Sequence, residues 1–526
     1  MRKIWIGSRG SDLALWQARN VQSQLEKLGV ESEIKIIKTQ GDNFFNRSFS
    51  KLEGKGFFTK ELEESLLEGS IDLAVHSLKD LPTRSTPGLQ IGAYSYREDP
   101  SELLLIHPDS IDIGNVFSLV ARAKLGTSSP RRASQVISHR PDLQIEELRG
   151  NVPTRVQKLR DGDYDAILLA KAGVKRLGLD LTGIHIEELS PIEMIPAPGQ
   201  GVMGLQIREE DLQLIEVLDQ INQKEVEELV KIEREVLSLF EGGCSLPLGV
   251  FCRKDSEKYM IWTSKADSPD SFPDRLYMAS ETKEGLAQKV LEKYKPKESQ
   301  IKSVFITREI NLGGYLESYL KTKNIALIGK SLIRTFPIIH KMDSGIFQQV
   351  DWIFFNSKNG VEYFFQLEPK LSPSIKIGVI GRGSEMALKE LGRDADFVGE
   401  TSDTTRVARK FSHLVEGKTV LFPQSKDSLR TIQHGLDPEK TKTIDLPLYE
   451  TEAEKNVEIF MADVMIFTSP SNVDSFMQDH LMDPNQKVIA IGKSTANQLF
   501  NYGIQAHAIP YTPDEMGLAE ALFGML

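Results

Sequence analysis

Cysteine is almost missing from this chain: Cys244 and Cys252 are the two in 526 residues. So few exclude a disulfide framework and suit a reducing compartment. Long apolar runs are missing as well, and none approaches the ~20 residues that a membrane span requires. The opening residues, Met1-Arg2-Lys3-Ile4-Trp5-Ile6-Gly7, enter a strand pattern with no apolar signal core, so the expected location is the cytoplasm. Excess positive charge is the third absence. Lys and Arg number 64 against 75 Asp and Glu, a net charge of −11, which argues against a nucleic-acid partner, since that would require a basic face. There is no solenoid repeat and no low-complexity tract. What remains is ordinary globular composition, 40% hydrophobic and 26% charged, with a mean hydropathy of −0.27. The length predicts roughly three to five domains.

Up to about residue 295, strands and helices alternate, with glycine and arginine motifs at the turns. Ile71 to His76 alternates like a strand and runs into Ser77-Leu78-Lys79-Asp80-Leu81-Pro82, where proline ends any regular element. Asp165 to Ala170 reads as a buried strand followed by a helix over Lys171 to Leu177, and Glu225 to Phe240 reads as a long amphipathic helix. Asp267 to Ser271 reads as a hairpin loop, and a polar linker over Lys293 to Ser299 sets a boundary near residue 299. Beyond it, short apolar runs end in Ser, Thr or Gly before helical stretches, the rhythm of parallel α/β sheets. Two proline-marked extended segments, Arg334 to Ile339 and Asp445 to Tyr449, predict paired crossings between two lobes, 300–336 with 451–526 and 338–447.

The positive charge that does occur is gathered at turns. Gly126-Thr127-Ser128-Ser129-Pro130-Arg131-Arg132 places three hydroxyls and two guanidiniums at a strand-to-helix junction, where unpaired N–H groups attract anions. Leu148 to Arg155 adds Arg149 and Arg155 around a turn with Gly150 and Pro153; Arg176, Arg9 and Ser11 repeat the theme. Taken singly, each arginine reads as a solvated surface charge. Together they fit a ligand with several carboxylates, because the planar guanidinium makes bidentate, permanently charged contacts. Asp80 is then a candidate acid or base that stays ionised near cations, although a salt bridge to Lys79 is the plainer reading. Cys244 follows Glu241-Gly242-Gly243, a hinge on which a side chain can be held out into a cleft. By itself it is equally a small buried hydrophobe, as Cys252 is expected to be.

The segments SRGSDLALWQ (8–17), GKGFFTKELE (54–63), AVHSLKDLPT (74–83), GTSSPRR (126–132), LRGNVPTR (148–155), PAPGQGVMG (196–204) and EGGCSLPLG (241–249), in this order, resemble porphobilinogen deaminase (hydroxymethylbilane synthase). The resemblance implies an α/β enzyme of three domains: two lobes like those of a periplasmic binding protein, over 1–97 with 196–219 and over 98–195, and a small α+β domain over 220–298. It implies a dipyrromethane cofactor joined by thioether to Cys244, with Lys79, Asp80, Thr127, Ser128, Ser129, Arg131, Arg132 and Gly150 around it. Four porphobilinogens are then added with loss of ammonia, Asp80 handling pyrrole nitrogens and the azafulvene cation. Arg9, Ser11, Phe58, Arg149, Arg155, Arg176 and Gln200 match substrate-binding or cleft-shaping positions. Pro130 stands where the family often has leucine, which alters the turn and removes no ligand group.

The second half is similar to uroporphyrinogen-III synthase, a family of two α/β lobes with parallel sheets. The segments that carry this are Val304 to Arg308, Phe355 to Val361, Gly399 to Ser402, Phe467 to Ser471 and Ala490 to Ala496. The resemblance implies cyclisation of hydroxymethylbilane with inversion of one ring, Tyr449 as proton donor to the departing hydroxyl, and Ser357, Thr401, Ser469, Ser471, Ser494 and Thr495 as binders of side-chain carboxylates. Positioning is the main task of such a site. Gly381-Arg382-Gly383 invites a dinucleotide reading, but Met386 stands where the third glycine belongs. The expectation is a bifunctional tetrapyrrole enzyme with small-molecule substrates, no metal, no nucleic-acid or membrane partner, and a monomeric state. Its rivals are a deaminase with a degenerate synthase half and a non-catalytic two-lobed sensor of a carboxylated ligand.

Overall fold

A computed structural model describes residues 2–38, 59–241, 246–255, 257–296, 300–338, 344–455 and 457–526. The chain forms two compact units, Met1–Pro296 and Lys297–Leu526, close to the boundary expected near residue 299. Among the described residues no helix is long and apolar enough to cross a membrane. None of their His, Cys, Asp and Glu side chains form a group that could hold a metal ion.

The first unit contains two mixed five-stranded sheets. In one the strand order is Ser32–Ile36, Ile4–Ser8, Leu73–Ser77, Met203–Arg208, Leu89–Tyr94. Met203–Arg208 runs antiparallel to both of its neighbours, and the other pairs are parallel. In the other the order is Gln144–Glu146, Lys124–Gly126, Ala166–Ala170, Glu102–Ile106, His185–Leu189. The chain crosses between the sheets twice, over 95–101 and 190–202.

Leu73–Ser77 is the strand expected within Ile71 to His76, and its first four residues are all buried. The reason is cover on both faces. Leu73 and Val75 pack in a core with Ala18, Val21 and Leu25 of the helix Asp12–Lys27, while Ala74 packs with Leu62 and Leu66 of the helix Lys60–Leu67. Central strands of sheets clad by helices lose the polar face.

A third layer of this unit is the antiparallel meander Leu248–Asp255, Lys258–Lys265, Asp274–Ser280. The helices Lys224–Leu239 and Leu286–Tyr294 accompany it, and the loop 267–271 joins its last two strands as expected. The buried carboxylate of Glu233 in the first of these helices ties the layers together. It accepts from Arg97 Nη1 at 2.6 Å on one crossing, Gly199 N at 2.7 Å on the other, and Cys252 N at 2.8 Å in the meander.

The second unit has a parallel four-stranded sheet, Ala326–Gly329, Ser303–Ile306, Val464–Phe467, Lys487–Ala490, and a six-stranded one, Ile333–Pro337, Lys442–Ala453, Thr419–Ser425, Trp352–Phe355, Lys376–Val379, Phe397–Val398. The expected crossing at 445–449 is only part of a longer strand. Lys442–Tyr449 pairs in parallel with Thr419–Ser425, and Tyr449–Ala453 pairs antiparallel with Ile333–Pro337. The apolar part of this strand completes a buried sheet. The polar run Glu450-Thr451-Glu452 suits an exposed two-stranded ladder. In each sheet the strand order reverses between two central strands, Ser303–Ile306 with Val464–Phe467 and Trp352–Phe355 with Thr419–Ser425. Open α/β sheets bind ligands beyond the carboxyl ends of strands at such points.

Candidate active sites

In the first unit the strand Leu73–Ser77 ends in one 3₁₀ turn, Leu78–Asp80. The turn leaves Asp80 exposed and brings Lys79 Nζ within 3.2 Å of Gln200 Oε1, so that the lysine donates to the second crossing. Gln200 is fully buried and passes the link on, its Nε2 donating to Glu102 Oε1 at 3.1 Å and to Pro100 O at 2.8 Å.

Glu102, buried at the head of its strand, accepts from Arg131 Nη2 and from Arg132 Nη2, each at 2.7 Å. The other terminal nitrogens of these arginines donate to Ile195 O and Leu168 O at 2.9 Å. Burial alone would raise the Glu102 pKa, but Arg132 and Arg131 outweigh it and hold the carboxyl at about 2, from an ordinary 4.5. Sequence reasoning missed Glu102. Its signal was an acid opening an otherwise apolar strand, Glu102-Leu103-Leu104-Leu105-Ile106.

The junction Gly126 to Arg132 is a strand-to-helix turn, as expected. Ser129 caps the helix Pro130–His139 by accepting from Arg132 N, Thr127 Oγ1 accepts from Ser129 N at 3.2 Å, and Ser128 Oγ donates to Leu148 O at 2.7 Å. Gly150 has φ +111°, and a Cβ there would lie 2.8 Å from Thr154 Cγ2. The turn that requires this glycine aims its carbonyl at Arg155 Nε, which donates at 2.8 Å. Burial, then repulsion from Arg132, pushes the Arg155 pKa down to about 10, against the attraction of Asp80. Lys79 is lowered first by burial, with Asp80 and Glu102 opposing and Arg132 and Arg131 reinforcing.

Lys79, Asp80, Glu102, Arg131, Arg132 and Arg155 therefore form one electrostatic cluster, four cations against two anions. Arg132 Nε is buried in it without a hydrogen-bond partner. Its positive balance and that buried donor fit a ligand bearing carboxylates.

The remaining positions of the first unit lie around this cluster or apart from it. Ser11 caps the helix Asp12–Lys27, accepting from Ala14 N at 3.4 Å. Arg9, half-buried, lies close enough to His76 to help burial lower the imidazole pKa to about 4. Arg176 donates to Gly201 O at 2.7 Å and faces the Trp16 ring. Arg149 is drawn outward to Glu147 at 2.6 Å. Cys244 and Phe58 lie outside the described residues. Cys252 is buried and its thiol is pushed far above its ordinary range by burial and by Glu233, as suits an inert cysteine.

In the second unit Ser357 follows the strand Trp352–Phe355 and caps the helix Lys358–Phe365, accepting from Gly360 N at 3.0 Å. Its Oγ also meets Tyr449 Oη at 2.9 Å. Burial raises the Tyr449 pKa, and the Ser357 bond opposes that rise.

Ser469 caps the helix Pro470–Asp479, accepting from Asn472 N at 3.1 Å, and Ser471 is exposed on its first turn. Ser494 and Thr495 open the helix Lys493–Asn501, whose cap position, Gly492, offers no side chain. Thr401 is buried, with Oγ1 accepting from Asp403 N at 3.2 Å. Next to it, Ser402 Oγ donates to Pro510 O at 2.6 Å and Lys493 Nζ pairs with Asp403 at 2.7 Å. These contacts bring Thr401 to the start of the Ser494 helix. Ser357 and Tyr449 form a separate pair, and Ser469 belongs to the other switch point. At that point Thr307 Oγ1 and Thr468 Oγ1 lie 3.1 Å apart, a pairing the sequence reading did not foresee.

Two α/β lobes joined by two crossings share a cationic cluster fed by residues of both, an arrangement suited to a polycarboxylated molecule. The comparisons with known proteins give that arrangement its chemistry. The family model described as "Porphobilinogen deaminase, dipyromethane cofactor binding domain" matches residues 4–216, and that for "Uroporphyrinogen-III synthase HemD" matches residues 330–520. Porphobilinogen deaminase of Nitratidesulfovibrio vulgaris (strain DP4) is 45% identical over 251 residues, covering 47% of this chain and 78% of that protein. The Maridesulfovibrio salexigens deaminase is 42% identical over 278 residues, covering 52% and 88%. Among solved structures, uroporphyrinogen-III synthetase from Helicobacter pylori is 18% identical, covering 43% of this chain and all of that one, with a TM-score of 0.29.

The chain belongs to the porphobilinogen deaminase family, and its second unit carries the uroporphyrinogen-III synthase domain. It is a bifunctional enzyme of heme biosynthesis, converting porphobilinogen to hydroxymethylbilane and that product to uroporphyrinogen III.

Proposed function

We propose that Cys244 carries the dipyrromethane through a thioether, and that the cluster around Asp80 is where the chain is extended. The observation that carries this reading is the bridge from Lys79 through Gln200 to Glu102, which holds two buried arginines beside one exposed carboxylate. When bound, the dipyrromethane supplies the free pyrrole carbon on which growth begins. Lys79, Arg132 and Arg155 supply cationic donors for acetate and propionate groups, with Arg9, Ser11, Arg149 and Arg176 along the cleft and Thr127, Ser128 and Ser129 at the helix head. Asp80 accepts from pyrrole N–H groups and stabilises the positive charge that develops on porphobilinogen as ammonia leaves. The two mixed sheets correspond to domains over 1–97 with 196–219 and over 98–195, and the meander to a domain over 220–298. The proposed setting is the cytoplasm, on the low cysteine content.

Intact-mass measurement tests the tether. The purified enzyme is expected to exceed its sequence mass by one dipyrromethane, and Cys244→Ala to lose that increment. An increment surviving in Cys244→Ala would move the anchor to Cys252 and overturn the assignment.

In the second unit the proposed acid is Tyr449, whose buried phenol stays protonated at neutral pH and can give its proton to the departing hydroxyl of hydroxymethylbilane. Ser469, Ser471, Thr401, Ser494 and Thr495, at or beside helix starts, receive side-chain carboxylates. Hydroxymethylbilane cyclises unaided to the wrong isomer, so the product isomer reads the site directly.

A further inference from the structure

Tyr449 has a companion. The ring of Tyr363, on the helix Lys358–Phe365, stacks on the Tyr449 ring with centroids 5.1 Å apart and planes at 23°. Tyr363 is held at its far end. Its Oη donates to Thr335 O at 3.0 Å and lies 2.9 Å from Thr335 Oγ1. With the phenolic proton given to the carbonyl, the threonine hydroxyl is the donor of the second bond. Thr335 belongs to the ladder strand Ile333–Pro337, whose Pro337 sits opposite Tyr449. The stack thus joins the helix that Ser357 caps to both strands of the ladder.

The two phenols differ in what they have left to give. Tyr363 Oη has spent its proton on Thr335 O and cannot act as an acid in this arrangement. Ser357 Oγ accepts from Gly360 N, and its own proton is free to point at Tyr449 Oη. With Ser357 as the donor of this bond, Tyr449 accepts from it and keeps its proton for another acceptor. Ser357 fixes where the oxygen sits, and the ring itself is held in a buried core. Tyr363 contributes the flat face of that core, stacked on the Tyr449 ring.

We propose that Tyr363 is a positioning residue for the synthase reaction, clamping the Tyr449 ring so that its hydroxyl meets the terminal hydroxymethyl group of the bilane in one orientation. The inference rests on the reading of Tyr449 as the proton donor. It adds that the isomer formed depends on the ring clamp as well as on the acid, because bilane that loses its hydroxyl out of place closes without inversion.

The test uses the full chain supplied with hydroxymethylbilane, so that the deaminase half does not limit the rate, and reads kcat, KM and the ratio of uroporphyrinogen III to I. Tyr363→Leu removes the stack. It is expected to lower kcat about tenfold with KM within about twofold, and to raise the share of isomer I. Tyr363→Phe keeps the ring and is expected to restore most of kcat. In the Tyr449→Phe background Tyr363→Leu should cost nothing further, since the clamp then has no acid to hold.

A Tyr363→Leu protein with wild-type kcat and isomer ratio overturns the clamp, as does an effect that adds fully to that of Tyr449→Phe. Should Tyr363→Leu not fold, Tyr363→Phe and Tyr363→His decide the matter: both keep a flat ring, and kcat falling as far in them as in Tyr449→Phe overturns the clamp. If Tyr449→Phe alone keeps wild-type kcat and isomer ratio, the acid reading is what fails, a result distinct from the others.

Discussion

The first unit holds its reactive cleft together with buried charge, and the second holds its own with hydroxyls at helix heads and a pair of stacked rings. Around Asp80 the decisive groups are ionised: Glu102 is kept charged at about pKa 2 by two arginines that it in turn keeps in place. Around Tyr449 the groups are hydroxyls and rings: a phenol, a serine hydroxyl and a second ring stacked on the first. The difference follows the two reactions. Losing ammonia from porphobilinogen develops positive charge, and in the proposed mechanism the exposed Asp80 carboxylate faces it. Closing the bilane is chemistry the molecule can do unaided, so the protein contributes geometry.

If that contrast is right, single substitutions should act through charge in one unit and through shape in the other. Asp80→Ala should leave the fold intact and lower deaminase turnover by about 10²- to 10⁴-fold, while synthase turnover of supplied hydroxymethylbilane stays unchanged; unchanged deaminase activity would remove Asp80 from the mechanism. Glu102→Gln should destabilise the first unit by about 3–5 kcal/mol by leaving Arg131 and Arg132 buried and uncompensated. Denaturant melts of this variant would show it, and a near-neutral result would mean the arginines reach solvent. Tyr449→Phe should lower synthase kcat by about 10- to 100-fold and turn the product towards uroporphyrinogen I, with deaminase rates untouched.

The smallest effect is on pH. Glu102 and His76 both have folded pKa values below their ordinary ones, at about 2 and about 4. Depressed values mean that stability is fully present above the ordinary pKa and lost as pH falls towards the folded one. The melting temperature of the first unit should therefore begin to fall below about pH 6.5 through His76 and again below about 4.5 through Glu102. In His76→Gln the first decline should flatten; an unaltered profile would show that this imidazole is not the group being titrated.

Much of the cleft was legible because its residues sit in turns, where side-chain type and backbone demand coincide. Gly126 to Arg132 could be placed as a strand-to-helix junction because serine before proline is a helix start, and Ser129 caps that helix. The partners of those arginines were not legible. Glu102 lies 29 residues from Arg131 and 30 from Arg132, on a strand that meets them only in three dimensions. The strand within Ile71 to His76 was legible, but its burial on both faces was not, since cover on the second face comes from a helix the local pattern does not contain. In the second unit the serine and threonine positions could be read from strand-to-helix rhythm, whereas the Tyr363 stack depends on how a helix lies against a ladder.

Glu233 is an anchor point for three elements at once. One carboxylate fastens both interlobe crossings and the meander strand that follows Cys244, while its own helix is the element that precedes Cys244. Both segments that flank Cys244 in the sequence are therefore fastened to the crossings between the two mixed sheets. With the tether proposed at Cys244, any widening of the cleft would also shift the point from which the growing chain is measured.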